Sequence, residues 1–148
     1  MSTTMRPVLL VEDNADDEFL ILRSLRAAHL ANEVVVARDG QEALDLFQPP
    51  GLFAGRGAHM LPSVVLLDLK LPRIGGLEVL QSLRSQERTR LLPVVILTSS
   101  DEEEDIIRGY LGGANSYVRK PVDHRRFNEV VRQVGLYWAL VNETALGS

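Results

Sequence analysis

Four ionisable side chains each stand just past a short apolar run. Glu12 and Asp13 follow Val8–Val11, Asp68 follows Val64–Leu67, and Lys120 follows Tyr117 and Val118. If those runs lie parallel in one sheet, three carboxylates and one ammonium converge at a single edge. Two ionised carboxylates about 4 Å apart repel by roughly 4 kcal/mol at an effective dielectric of about 20. A third acid adds to this, so the cluster persists only around a cation or with members protonated. Magnesium suits such a place: it is hard, takes oxygen ligands in near-octahedral geometry, keeps several waters and commonly bridges carboxylate to phosphate. The expected ligands are Asp13 and Asp68 directly, Glu12 directly or through water, and a backbone carbonyl just beyond Asp68, that of Lys70.

A carboxylate in that setting can attack phosphorus and form an acyl phosphate. The metal and Lys120 would neutralise the equatorial oxygens while attacking and leaving atoms are held in line. Thr98, ending the run Val94–Leu97, offers a hydroxyl to a phosphoryl oxygen, and small Ser99 leaves room for a large phosphodonor or for water. Singly, each residue has an ordinary reading. Acids at a helix start are usually solvated dipole partners, a lone aspartate after a strand is a turn residue, Thr98 alone is a helix cap, and Lys120 before Pro121 is a surface charge. Their joint occurrence, each at the carboxyl end of its own run, decides against that.

The elements that must position these groups are legible. Five apolar runs, Val8–Val11, Val34–Ala37, Val64–Leu67, Val94–Leu97 and Tyr117-Val118, are each followed by a segment of helical period. The central runs are continuous Val, Ile and Leu, the pattern of strands covered on both faces in a parallel sheet. In Ala15–His29, Ile21, Leu22, Leu25 and Ala28 share one stripe, and Asp16, Asp17 and Glu18 fill the first turn, where the helix dipole favours anions. Further helices are expected over Gly40–Phe47, Gly76–Arg84, Asp101–Leu111 behind a capping box at Ser100 and Glu103, and Asp123–Val141. The alternation predicts an α/β fold with a doubly wound, five-stranded parallel sheet and right-handed crossovers. The flavodoxin-like order 2-1-3-4-5 puts the first and third strands together at the switch point, where ligands bind beyond the carboxyl ends. One segment breaks the rhythm: Gln48–Pro62, with three prolines and three glycines, is long for a connection and reads as a tolerated surface insertion or, failing that, a partner-docking loop.

Composition bounds the rest. The 148 residues make one domain over 1–148, with a core over about 6–136 and no room after the last helix for an output domain. The net charge of −4 and scattered basic residues leave no footprint for nucleic acid; Arg125-Arg126 is only a pair. The absence of cysteine excludes thiol catalysis, disulfides and thiolate zinc sites. No stretch approaches the roughly 20 apolar residues of a membrane span, so a cytoplasmic, soluble protein is expected.

At this point the residues resemble the receiver domain of two-component response regulators. The matching pieces are Val11-Glu-Asp-Asn14, Ala37-Arg-Asp-Gly-Gln-Glu-Ala43, Leu67-Asp-Leu-Lys-Leu-Pro72 with Gly75-Gly76, Leu97-Thr-Ser99 and Tyr117-Val-Arg-Lys-Pro121. The resemblance implies that Asp68 is the phosphoacceptor, loaded from a phosphohistidine of a sensor histidine kinase. It implies further that Glu12 and Asp13 hold magnesium and that Thr98 and Lys120 contact the phosphoryl group. Thr98 would move towards the phosphate with Tyr117 turning inward behind it, and Lys120-Pro121 would be a cis peptide. More narrowly, Glu12 to Asp17, the long loop before the third strand, and Tyr137-Trp138 with Asn142-Glu143 resemble the single-domain regulators paired with bacterial phytochrome kinases.

In the last helix, Phe127, Val130, Val131, Val134, Trp138 and Val141 fit one stripe, while Leu136, Tyr137 and Leu140 form a second apolar group. Exposed together, that second group predicts a homodimer through the last helix and the tail over about 136–148. Rival functions carry less. A dedicated aspartyl-phosphate hydrolase commonly has a second acid two residues after the nucleophile, where this chain has Lys70. A flavin or nucleotide module wants a glycine- or hydroxyl-rich anion cradle after the first strand, where this chain has acids. A degenerate receiver acting purely as a protein-binding module would not need the full acid set, whereas a phosphate sink or relay intermediate uses the same acids and stays open. The expected activity is that of a phosphoacceptor with weak self-phosphorylating and self-dephosphorylating chemistry, not of a dedicated enzyme.

Overall fold

Runs of Val, Leu and Ile without polar alternation need cover on both faces, and a computed structural model of the chain provides it. The structure describes residues 6–99, 108–133, 135 and 140. Five parallel strands, β1 (Val8–Val11), β2 (Val34–Ala37), β3 (Val64–Asp68), β4 (Val94–Thr98) and β5 (Ser116–Arg119), lie in the order β2-β1-β3-β4-β5. The helices are α1 (Ala15–Ala27), α2 (Gly40–Asp45), α3 (Gly76–Ser85) and α4 (His124–Gln133). Residues 108–111 are helical as well; the rest of the helix expected over Asp101–Leu111, with its capping box, lies outside the described residues.

Alternation along each strand sorts side chains between two cores. Val8, Leu10, Val64, Leu66, Val95, Leu97 and Val118 pack with Ile21 and Leu25 of α1 and with Phe127, Val130 and Val131 of α4. Leu9, Val11, Val65, Leu67, Val94 and Ile96 pack with Ala43 of α2 and with Val79, Leu80 and Leu83 of α3. Every residue of β1, β3 and β4 is buried, as strands covered on both faces require. One sequence expectation fails here. Leu140, expected in an exposed second group, is 0% exposed and belongs to the α1/α4 core, where burying its apolar side chain is favourable. Its companions Leu136 and Tyr137 lie outside the described residues.

The insertion over Gln48–Pro62 is not a loose surface loop. Phe53 is buried to 1% exposure and meets Phe47 with ring centroids 5.4 Å apart, and Leu61 is buried too. Arg88, just past α3, donates from one guanidinium nitrogen to the carbonyls of both Phe53 and Gly55. The segment holds a cis Pro49-Pro50 bond and a short 3₁₀ turn at Ala58–Met60. It joins the end of α2 to the start of β3. A second arginine braces the approach to β5: Arg84 donates to Gly113 O at 3.0 and 2.8 Å and to Thr89 O at 3.3 Å. Burial lowers the pKa of that guanidinium.

Candidate functional site

The strand register fixes which residues meet. Val11 pairs with Leu67, so Glu12 and Asp68 come level at the carboxyl edge; Asp68 pairs with Leu97, and Thr98 with Arg119. Lys120 N donates to Thr98 O at 2.9 Å, extending the ladder one residue, and Glu12 N does the same to Ala37 O at 2.9 Å. Parity then assigns faces. Glu12, Asp68 and Lys120 continue the rows Val8-Leu10, Val64-Leu66 and Val118 on the α1/α4 side, while Thr98 and Tyr117 fall in register with Ile96 on the α2/α3 side.

One carboxylate oxygen from each of Glu12, Asp13 and Asp68 lies within 4.8 Å of the others. Glu12 and Asp68 are buried, whereas Asp13 is exposed and opens the cluster to solvent. Lys120 Nζ sits 2.5 Å from Glu12 Oε1, 3.1 Å from Asp17 Oδ2 and 3.2 Å from Asp68 Oδ2. Burial, opposed by Lys120 and aided by Asp68, pushes the Glu12 carboxyl up to about 7. For Lys120, burial works against the charged amine, but the hydrogen bond to Glu12 and the charge of Asp68 hold its pKa above the ordinary lysine value. Removing the pocket's acids from water thus leaves Glu12 reluctant to ionise unless a further cation arrives. Hard oxygen donors at this spacing, one open to solvent, fit a divalent cation that keeps part of its water shell.

Local structure explains the placement. Asn14 caps α1 by accepting from Asp17 N at 2.9 Å, while its own N–H donates to Glu12 Oε2 at 3.3 Å. The chain after β3 folds back so that Lys70 N donates to Asp68 Oδ1 at 3.1 Å, leaving the Lys70 side chain exposed. Gly76 allows that turn: a Cβ there would lie 2.3 Å from Asp68 O and 2.7 Å from Leu69 Cα. Lys120-Pro121 is cis. Thr98 is buried at 1% exposure and Ser99 beside it is exposed. Tyr117 is half-buried and meets Tyr110 edge to face, with centroids 6.1 Å apart. Asp17 was not singled out from the sequence beyond its place in a helix's first turn. Its spacing from Asp13, four residues along a capped helix, was the available signal.

A family model described as the response regulator receiver domain matches residues 8–132. The chain belongs to that family. Among solved structures, this receiver is 49% identical to the bacteriophytochrome response regulator AtBRR, with a TM-score of 0.81, 95% of this chain and 99% of that one covered. Among curated proteins, it is 39% identical over 131 residues to the probable methanogenesis regulatory protein FilR2 of Methanothrix harundinacea, covering 88% of this chain and 82% of the relative. Response regulator Rcp1 of Synechocystis is 31% identical over 137 residues, covering 93% of this chain and 91% of its own. The crystal structure of the manganese-bound form of Rcp1 matches the receiver with a TM-score of 0.70 at 30% identity, over 90% of this chain and 94% of that one. The single five-stranded sheet, its strand order and the acidic cluster agree with that membership. Among the described residues no helix is long and apolar enough to cross a membrane.

Proposed function

We propose that this receiver takes a phosphoryl group onto Asp68 from a phosphohistidine of a sensor histidine kinase, of the phytochrome type, in the cytoplasm. One observation carries the reading: three carboxylates converge within 4.8 Å on the same edge where a single lysine reaches Asp68 at 3.2 Å. In this reading Asp13 and Asp68 hold magnesium directly, Glu12 directly or through water, and the Lys70 carbonyl completes the protein's share. When bound, magnesium supplies charge neutralisation for the acids and for an incoming phosphoryl group. Asp68 presents the attacking oxygen, Lys120 offers an ammonium to a phosphoryl oxygen, and Thr98 offers its hydroxyl from the other face. The manganese in Rcp1 supports a divalent cation, and the likeness to AtBRR supports the kinase class.

The switch then runs through Thr98 and Tyr117, whose shared face lies towards the exposed helical segment at 108–111. Residues 1–148 act as a single receiver domain, with only weak intrinsic phosphorylation and dephosphorylation. Self-association would use the last helix and the tail over about 136–148, without Leu140, which is buried. Mass in solution across concentration tests it; a strictly monomeric species with and without a phosphoryl analogue removes it.

The decisive experiment is labelling with a radioactive small phosphodonor and magnesium. Expected is one phosphoryl group per chain, released by hydroxylamine, absent in Asp68→Asn and absent after chelation. Labelling of Asp68→Asn at unchanged stoichiometry would move the acceptor elsewhere. Transfer from candidate sensor kinases then identifies the donor.

A further inference from the structure

We infer that Asp17 is a positioning residue that detains Lys120 while Asp68 is unmodified, and so slows loading of the site. This rests on the reading of Asp68 as phosphoacceptor. A lysine ammonium has three N–H donors and no more. In the structure three carboxylates face Lys120 Nζ, at 2.5 Å (Glu12), 3.1 Å (Asp17) and 3.2 Å (Asp68). Two of the donors are spent on Asp17 and Asp68, and Glu12 holds the ammonium as the nearest ion-pair partner.

A phosphoryl oxygen on Asp68 lies further out than the carboxylate oxygen that Lys120 now touches. Reaching it requires the ammonium to loosen one of its other two carboxylates. Glu12 is wholly buried and makes the shortest of the three contacts, with no water at hand to replace the ammonium there. The Asp17 side chain is 38% exposed, so water replaces the ammonium there at little cost. Asp17 is therefore the contact that yields. Its aim is fixed by the fold, because the Asn14 cap holds the first turn of α1 through Asp17 N at 2.9 Å. Until it yields, its negative charge also stands beside the place where a dianion must arrive.

The test is loading from acetyl phosphate at saturating magnesium. In that step the Asp68 oxygen forms a bond to phosphorus, the bond from phosphorus to the acetyl oxygen breaks, and acetate leaves with the electron pair. Asp17→Asn is expected to load about threefold faster, the scale of removing one partly exposed ion pair. It is also expected to bind beryllofluoride more tightly by a similar factor. Asp17→Glu, which restores the carboxylate, should return both towards wild type. Asp16→Asn, which removes the same charge from the exposed neighbouring position, should change neither. Unchanged or slower loading in Asp17→Asn, or equal acceleration in Asp16→Asn, overturns the inference while wild-type labelling leaves the acceptor reading intact. A wild-type chain that takes no label at all sinks the acceptor reading and this inference with it.

Discussion

Glu12 Oε1 and Lys120 Nζ lie 2.5 Å apart, with the Glu12 side chain wholly removed from solvent and that of Lys120 10% exposed. The two residues are 108 positions apart in sequence and meet because β1 and β5 end at the same edge of the sheet. The pair holds the pocket's excess negative charge in check before any cation or phosphoryl group enters.

The metal-free chain should therefore lose stability as pH rises. Burial lifts the Glu12 carboxyl in the folded chain from the usual 4.5 to about 7. Below about 4.5 both states are protonated; between there and about 7 the unfolded chain releases a proton that the folded one keeps, so unfolding gains. The raised pKa of Lys120 acts only at much higher pH and does not offset this. Urea unfolding at pH 5 and pH 8 should differ by on the order of 2 kcal/mol more in wild type than in Glu12→Gln. Equal pH slopes would show that Glu12 is ionised throughout.

Dication affinity should carry the opposite sign. A cation competes with the Glu12 proton, so magnesium binding should strengthen from pH 5.5 to 7.5 and flatten above, with one proton released per ion at the acid end. Calorimetry in buffers of different ionisation heat counts that proton. Glu12→Gln should bind more weakly and without the proton release.

Lys120→Met leaves buried carboxylates facing one another with no cation. The metal-free variant should be destabilised by about 3 kcal/mol, as when one partner of a buried pair is removed, and saturating magnesium should recover part of the loss. Thermal melts with and without the ion measure both. A variant as stable as wild type without magnesium would mean that the acids are already protonated.

The two glycines after β3 differ in what they do. A Cβ on Gly76 meets the backbone of Asp68 and Leu69 at under 3 Å, whereas one on Gly75 has only Glu78 Oε1 at 3.8 Å. Gly76→Ala should cost about 1–3 kcal/mol and displace the turn after Asp68, while Gly75→Ala, at the N-cap of α3, should cost only about 0.5–1 kcal/mol and leave that turn in place. Denaturant midpoints and labelling rates together separate the two.

Arg88→Ala should loosen the insertion without touching the chemistry. The variant loses charged hydrogen bonds to the Phe53 and Gly55 carbonyls, about 1.5–3 kcal/mol each when formed with a guanidinium. Hydrogen exchange should speed at Phe53 N, which donates to Leu46 O at 2.7 Å, while loading of Asp68 stays at the wild-type rate.

Much of this architecture could be read from residue order. Continuous apolar runs located all five strands, and the acids and lysine at their ends located the pocket, because a parallel sheet brings every strand's carboxyl end to one edge. What escaped was longer in range or weaker in period. Phe53 sits among prolines and glycines with no repeating pattern, and its carbonyl is held by Arg88, 35 residues later. Leu140 fell outside the stripe of the last helix in projection and is nonetheless buried in the core, so a helical projection alone did not place it. Asp17 looked like one more solvated acid in a helix's first turn; only folding showed that it shares a lysine with Asp68.

Strand parity sets Asp68 and Lys120 towards α1 and α4, and Thr98 and Tyr117 towards α2 and α3. On the proposed reading the sheet is thus a partition with the message written on one side and read on the other, joined at its rim. A ligand crowding α1 could silence the writing while leaving the reading surface untouched, and a partner gripping Tyr110 could do the reverse.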